Sequence, residues 1–533
     1  MAKIFYITTA IYYTNSSPHV GHAYEIVLAD VIARYHRLKG QNVFFLTGVD
    51  QHGQKVQQSA AKAGVAPAEF VKGVTQQWID FAKKLDVKYD DWVETTSDRH
   101  KKVVRGILQR LFDEGQIYKD KQAGYYSVRQ EQFLTDKERG PDGQFGPEWG
   151  DVEFREEENY YFKLSQYKEW LLQYLDNRAD AVLPAFRQTE LRNAVEKIGG
   201  DLCISRPKSR LDWGIELPFD KDFVTYVWFD ALTNYISFAG YDPTQSTINS
   251  QPSTFRDRWP ALQIIGKDIL VPAHGIYWLI MLHAIGFPDD QMPQLLVHGW
   301  WNIGGAKMSK SVGNIVDPFA LIEKYGIEAL RYYLMSVDTG QDADFREGSL
   351  VSEFNMDLAN TFGNLVNRTL NMIHRFRNGR ISSIDVTTLA EGTVRSHLQT
   401  WSSDELVAGR ELYEKKFAQF RPSNAFNAPL ARALKCNTLV EISSPWNLAK
   451  DKKQEALLDA VLYHLAESLR IIAIMISPVA PKAAHGIFDQ LNWKMELGGR
   501  EERFSLADAE WGRLPDGHVV GKPVPLFPRI EAS

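Results

Sequence analysis

The chain has 533 residues, 44 % hydrophobic and 12 % aromatic, which accommodates about three or four domains with real cores. Its formal net charge of −6 excludes a global footprint for nucleic acid, so any RNA contact must come from a local basic face. The two cysteines, Cys203 and Cys436, form no paired motif, which fits a reducing compartment and excludes a disulfide framework or a Cys-based metal site.

In chain order, the apolar run 4–7 predicts a strand that begins without a signal-peptide pattern. The stretch 16–24 then reads as a tight loop opening into an amphipathic helix, from about His19 to Leu38 and stopped by Gly40. His19 and His22 flank Gly21 at the point where the helix exposes unpaired N–H groups. Such an end attracts phosphate, and glycine lets a ligand approach the backbone. On their own, the two histidines read equally as polar residues capping a loop. The continuous apolar run 43–46 predicts a strand covered on both faces and leads into Asp50-Gln51-His52-Gly53. Ligands of open parallel sheets bind beyond the carboxyl ends of strands, so Asp50 and His52 are expected beside His19 and His22.

Helices are expected over 67–85 and 99–114. From 117 to 218 short aromatic strand-like pieces alternate with turns such as Pro141-Asp142-Gly143, the style of an insertion. A buried strand is expected at 223–230, then a strand running into a loop over 262–268 and another strand at 294–299, around a helix over 276–284. The apolar stretch 269–287 is broken by Pro272, His274 and His283, which fits a buried strand-to-helix passage better than a membrane span. A polar, glycine-rich loop at 304–314 carries Lys307 and Lys310, and Asp317-Pro318 supplies an N-cap and N1 proline for the next helix. Beyond about 351 the pattern is helical. Phe362, Leu365, Val366, Leu370, Ile373 and Phe376 form one apolar stripe, and further helices near 404–418, 424–442 and 454–476 complete a bundle. The proline-rich end, 522–530, is expected to lie across the surface.

Phosphoryl or nucleotidyl transfer needs positioning and positive groups at the phosphate oxygens rather than covalent chemistry by the protein. Two histidines at a helix start and two lysines on a glycine-flanked loop suit that task, although lysines 307 and 310 alone read as solvated loop charge. The chain has no Gly-x-x-x-x-Gly-Lys-Ser/Thr loop, kinase signature set or His-Glu-x-x-His zinc site.

Pro18-His19-Val20-Gly21-His22 resembles the first signature of class I aminoacyl-tRNA synthetases, and Lys307-Met308-Ser309-Lys310-Ser311 matches the second letter for letter. The stretches 9–15, 48–53, 226–232, 266–269 and 274–278, with the terminal Leu-Phe-Pro-Arg-Ile, are similar to the methionyl-tRNA synthetase family, over essentially the whole chain. This resemblance implies an α/β Rossmann-like catalytic domain split by an insertion and followed by an all-α anticodon-binding bundle. The implied segments are 1–116 and 219–300 for the catalytic halves, 117–218 for the insertion, 301–350 for a linker domain bearing the second signature, 351–515 for the bundle and 516–533 for the tail.

The resemblance also implies the reaction. Methionine and ATP, with Mg²⁺ on its phosphates, give methionyl-adenylate and pyrophosphate, and methionine then passes to the terminal ribose of tRNA(Met), initiator and elongator. It assigns His19, His22, Lys307 and Lys310 to catalysis, and Gly21 and Ser309 with them to ATP. Asp50 is assigned to the substrate ammonium. Ala10, Ile11, Tyr13, Trp228, Ala231, Leu232, Tyr235, Ile269, His274 and Trp278 are assigned to the methionine pocket, an apolar and aromatic lining that fits a thioether. Such a pocket separates near-isosteres poorly, so homocysteine is an expected competitor. Arg206 is assigned to the insertion's side of the active site, and Asn364, Arg368 and Trp446 to the anticodon. Residues 361–380 hold four arginines and no acid, the local basic face that the net charge demands.

Two features depart from the family pattern. Where members often carry a zinc knuckle, the insertion reads 126–130 and 145–149 without thiolates, so no structural zinc is expected. The segment from Asp268 to His274 is one residue longer than the common spacing. Rival readings are a class I synthetase for isoleucine, valine, leucine or cysteine, or a non-catalytic tRNA-binding paralogue. The first three need a larger editing insertion, the fourth needs a zinc site, and the intact signatures oppose the paralogue. A cytoplasmic monomer is expected.

Overall fold

A computed structural model describes residues 3–15, 17–127, 132–134, 136–140, 142–308, 314–401, 404–493 and 504–531. Strand β1 (Phe5–Thr8), the short β2 (Tyr12–Tyr13), β3 (Val43–Asp50) and β4 (Asp91–Glu94) join strands Ala261–Gly266, Gln294–His298 and Val182–Leu183 in one seven-stranded sheet. Every pairing in it is parallel. β1 lies between β3 and the Ala261–Gly266 strand, and β2 continues its line along the carboxyl end of β3. The sheet is buried on both faces, as the continuous apolar runs require. Ile7 and Phe45 enter a core shared with α1 (Val20–Leu38) and the helical bundle, whereas Tyr6, Phe44 and Leu46 enter the core on the other face.

Helices α2 (Gln54–Ala63), α3 (Pro67–Lys84) and α4 (Asp98–Asp113) follow β3 and β4. The expected strand at 223–230 is corrected. The strand Asp220–Thr225 ends early, and Val227–Leu232 is a helix that turns Asp230 inward. A short continuous apolar run is compatible with either state. In the inserted region, Ile117–Ser127 and Val152–Phe162 pair antiparallel over their full lengths. Val182–Leu183, later in the same stretch, leaves that sheet and pairs with Leu295 and Leu296 of the central one.

After the Gln294–His298 strand, Trp301–Ile303 and Ala306–Lys307 form a hairpin. Its turn, Gly304-Gly305, has φ of 58° and 78°, the left-handed backbone that tight hairpins demand of glycine. The rest of the second signature, Ser309, Lys310 and Ser311, lies outside the described residues, as do Val128, Arg129 and Gln130 of the insertion. The helical region includes Asn364–Arg377, Pro422–Ser443 and Glu455–Ile476. Arg331, fully buried, ties this region to α1. It donates to Asp30 Oδ2 at 2.7 Å, to the Leu85 carbonyl at 3.0 Å and to the carbonyls of Pro478 and Val479 at 2.9 and 3.0 Å.

Candidate active site

A cleft of about 280 Å³ opens at the carboxyl ends of the central strands. Ala10, Ile11, Tyr12, Tyr13 and Asp50 line one wall, and Trp228, Ala231, Leu232, Asn234 and Tyr235 face them. Ile269 and His274 complete this end. The other end is built by His19, Gly21, His22, Tyr24, Glu25, Gly266, Asp268, residues 298–301, Lys307 and Met308.

The two signature histidines cap α1 reciprocally. The Gly21 N–H donates to His19 Nδ1 at 3.0 Å, and the His19 N–H donates to His22 Nδ1 at 3.1 Å. With each Nδ1 accepting, the ring proton of a neutral imidazole sits on Nε2. The rings lie 3.8 Å apart between centroids, and His22 is held edge-on by Tyr12 and Trp78 at 5.4 and 5.0 Å. A side chain at position 21 would place its Cβ 2.8 Å from His19 Cε1. Glycine is therefore required by the histidine as well as by any ligand.

At the pocket end, His274 is buried, which pushes its imidazole down to about 4 and keeps it neutral at working pH. Its Nδ1 then donates to the Ile269 carbonyl at 3.0 Å, and its Nε2 accepts from the Tyr235 hydroxyl at 2.8 Å. The segment expected to be one residue longer than the family spacing winds as a π-helix over Leu270–Trp278, interrupted by extended backbone at Val271. A π-turn absorbs an extra residue within a helix, and His274 still reaches the cleft. Trp278 does not line it. The indole donates to Gln263 Oε1 at 3.1 Å and supports Tyr235 from behind, 5.7 Å between centroids.

Asp50 lines the cleft while 1 % exposed, and its Oδ2 has no hydrogen-bond partner. Burial, then the nearby Asp230 carboxylate, push its carboxyl above the usual range. Elsewhere in the lining, Glu25 Oε2 meets His298 Nε2 at 3.0 Å. Burial pushes Glu25 up against the pull of His298. Burial also acts to lower His298, but Glu25 outweighs it and raises the imidazole. Lys307 Nζ donates to Asp268 Oδ2 at 2.8 Å and sits 4.3 Å from the Trp300 ring centre. That ammonium, by hydrogen bond and charge, outweighs burial and holds Asp268 below its ordinary range.

The cleft thus gathers His19, Gly21, His22 and Lys307 with ten of the eleven residues assigned to methionine. His52 is a correction. It does not line the cleft with His19 and His22 but donates from Nδ1 to Asp230 Oδ2 at 2.7 Å, because a buried carboxylate attracts it. Arg206 also stays outside the lining, with its guanidinium 3.8 Å above the Tyr226 ring, just before the Trp228 helix. Glu25, Asp268, His298 and Trp300 are cleft residues that sequence reasoning did not assign. Glu25 had left a signal, an acid among the apolar residues of α1.

In the helical region, Asn364 is exposed at the start of its helix, and Arg368 reaches Glu441 Oε1 at 2.7 Å. Trp446 is 40 % exposed beyond the helix that carries Glu441. Among the described residues, no group of three metal-type side chains comes together. The inserted tip instead packs Tyr125 against Phe145 and Phe154, with the Arg139 guanidinium 4.8 and 4.3 Å from the Tyr125 and Phe145 rings.

Comparison with known proteins gives consistent matches. The family described as "tRNA synthetases class I (M)" matches residues 5–143 and 149–370. Methionine–tRNA ligase of Lactococcus lactis is 38 % identical over 100 % of this chain and 78 % of its own length. The Bacillus subtilis ligase is 39 % identical over 99 % of this chain and 78 % of its own. Among solved structures, Mycobacterium tuberculosis methionyl-tRNA synthetase in complex with methionyl-adenylate superposes with a TM-score of 0.88 at 35 % identity, covering 99 % of this chain and 100 % of that one. The apo form of the same protein gives 0.83 at 32 %, covering 100 % and 99 %.

Proposed function

The chain belongs to the methionyl-tRNA synthetases of class I, and from that premise we propose how its own residues carry out the family's two-step reaction. The enzyme activates L-methionine with ATP and transfers it to tRNA. In the first step a methionine carboxylate oxygen attacks the α-phosphorus of ATP, and pyrophosphate leaves. In the second, a hydroxyl of the terminal ribose attacks the activated carbonyl, and AMP leaves. No enzyme side chain forms a covalent bond.

Asp50 takes the ammonium, which supplies the cation that its buried carboxyl lacks. Tyr13, Trp228, Ala231, Leu232, Tyr235, Ile269 and His274, with Ala10 and Ile11, surround the thioether, and Trp278 stiffens Tyr235. The neutral His274 adds no charge to that lining. His19 and His22 donate from Nε2 toward the phosphate oxygens as charge builds on them. Lys307, Ser309 and Lys310 add further donors and positive charge for the phosphates, with Gly21 keeping the helix start open. Mg²⁺ arrives on the ATP phosphates as part of the substrate. Asp268 Oδ2 is engaged by Lys307 and Glu25 Oε2 by His298, and the chain's own contribution to the phosphates is donors and cations. Arg206 acts through Tyr226 on the Trp228 helix.

Asn364, Arg368 and Trp446 read unstacked anticodon bases by edge and by stacking, on initiator and elongator tRNA(Met) alike. In this reading the enzyme is a cytoplasmic monomer without structural zinc. Among the described residues no helix is long and apolar enough to cross a membrane. The observation that carries the proposal is the convergence of His19, His22, Lys307 and the Asp50 pocket on one cleft. Pyrophosphate exchange driven separately by each amino acid tests it. Exchange with methionine is expected, and its absence would overturn the assignment.

A further inference from the structure

Behind the pocket wall lies a cluster of ionisable side chains that neither substrate step uses. Asp230, 1 % exposed on the Val227–Leu232 helix, has both oxygens taken by imidazoles from the first half of the catalytic domain. His52 Nδ1 meets Oδ2 at 2.7 Å, and His100 Nε2, from the first turn of α4, meets Oδ1 at 2.7 Å. The other nitrogen of His100 lies 2.8 Å from Ser237 Oγ. Both imidazoles are buried.

Asp50 is only two residues from His52 and is held far more loosely. Its Oδ1 receives the His52 N–H and the Thr95 hydroxyl at 3.4 Å each, and its buried Oδ2 receives nothing. The ionisable groups acting on Asp50 are Asp230 and His52, and those acting on Asp230 are His52 and His100. Burial costs both carboxylates, but the two histidines outweigh it at Asp230 and hold that carboxyl low, whereas Asp50 is left high. Two buried acids in one site have been made unlike, one compensated by the protein and one lacking a cation. The competitor for that vacancy is the His52 imidazole, whose charge already acts on Asp50 and whose backbone N–H anchors it beside Asp50 Oδ1.

We propose that Asp230 is a positioning residue for the substrate ammonium: fixed by His100 through one oxygen, it binds His52 through the other, holds that imidazole off Asp50 and reserves Asp50 Oδ2 for the ammonium of the incoming amino acid. This rests on Asp50 being the ammonium partner, so Asp50→Asn is measured first. A rise in methionine KM of at least thirtyfold in pyrophosphate exchange is expected, and an unchanged KM removes that premise rather than the role of Asp230.

With the premise standing, Asp230→Asn frees His52 to move onto Asp50. Methionine KM is expected to rise about tenfold while ATP KM stays within twofold. The inhibition constant of 4-(methylthio)butanoate, which has the thioether and carboxylate but no ammonium, is expected to stay within twofold. Adding His52→Gln to Asp230→Asn removes the competitor and is expected to recover most of the loss, which a merely structural role would deepen. The wild-type enzyme supplies a measurement that needs no variant. As pH falls from 8 to 5.5, methionine binding weakens while binding of the desamino compound does not, because a protonated Asp50 no longer attracts an ammonium. Equal losses for both compounds in Asp230→Asn, or no recovery in the double variant, would overturn the proposal, whereas parallel pH profiles would remove the premise about Asp50.

Discussion

Gly21→Ala separates positioning of the signature histidines from stability of the helix that carries them. Position 21 lies in the first turn of α1, where alanine is favoured over glycine by about 0.5–1 kcal/mol. The added Cβ, however, would stand 2.8 Å from His19 Cε1 and 3.0 Å from Nδ1. The ring must therefore swing away and give up its 3.0 Å bond from the residue 21 N–H. Loss of that cap costs about 1 kcal/mol, so the two effects nearly cancel and the melting temperature should barely move. Catalysis has no such offset. A donor displaced by about 1 Å loses on the order of 100-fold in rate, which corresponds to about 2.7 kcal/mol of barrier. Pyrophosphate exchange at saturating substrates should show a fall of that size in kcat, with methionine KM within threefold. A kcat within threefold of wild type, or a KM that rises in step with the fall, would refute the role given to His19.

Lys310→Ala should lower the rate of adenylate formation at least thirtyfold in a rapid-quench assay with little change in methionine affinity, and equal losses in both would contradict its phosphate role. Arg331→Met should destabilise the junction of α1 with the helical region by about 3–5 kcal/mol, the usual cost of breaking a buried ion pair, read from the first transition in urea; a loss below about 1 kcal/mol would contradict the anchor. Burial pushes the Asp30 partner up, but Arg34 and Arg331 together hold it below the usual carboxylate range. Its share of stability is therefore present above about pH 4 and lost as pH falls through the depressed value, a loss that melting curves should show to be smaller in Arg331→Met. Arg368→Ala and Trp446→Ala should each raise tRNA KM about tenfold in aminoacylation and leave tRNA-free exchange unchanged. Glu441→Gln, which releases Arg368 from its 2.7 Å partner, should move tRNA KM the other way.

The first βαβ unit was legible because its signals agree. β1 and β3 are short apolar runs, α1 carries a helical stripe, and Gly40 ends it. The helix Val227–Leu232 was not, since its six residues, apolar but for Asp230, are too few to show a period that would distinguish strand from helix. What makes it helical is tertiary. Asp230 must reach His52 and His100, which lie 178 and 130 residues away in the chain. Val182–Leu183 was invisible for a different reason: two residues carry no pattern, and only the neighbouring strand Gln294–His298 gives them a place.

The site divides in the same way. His19, His22, Lys307 and Asp50 were found because each sits in a contiguous motif, and a motif reports local backbone geometry such as a helix start or a glycine hairpin. Glu25, Asp268, His298 and Trp300 take their chemistry from partners distant in sequence, as in the Glu25–His298 pair, 273 residues apart. The same limit misplaced His52. Its position after β3 is right, yet which way the ring turns is decided by competition between two buried carboxylates, and the winner is Asp230, on the other half of the split domain. Local sequence therefore reveals which groups arrive at the carboxyl ends of the strands. How charge is shared among them is settled only when both halves of the domain close on one cleft.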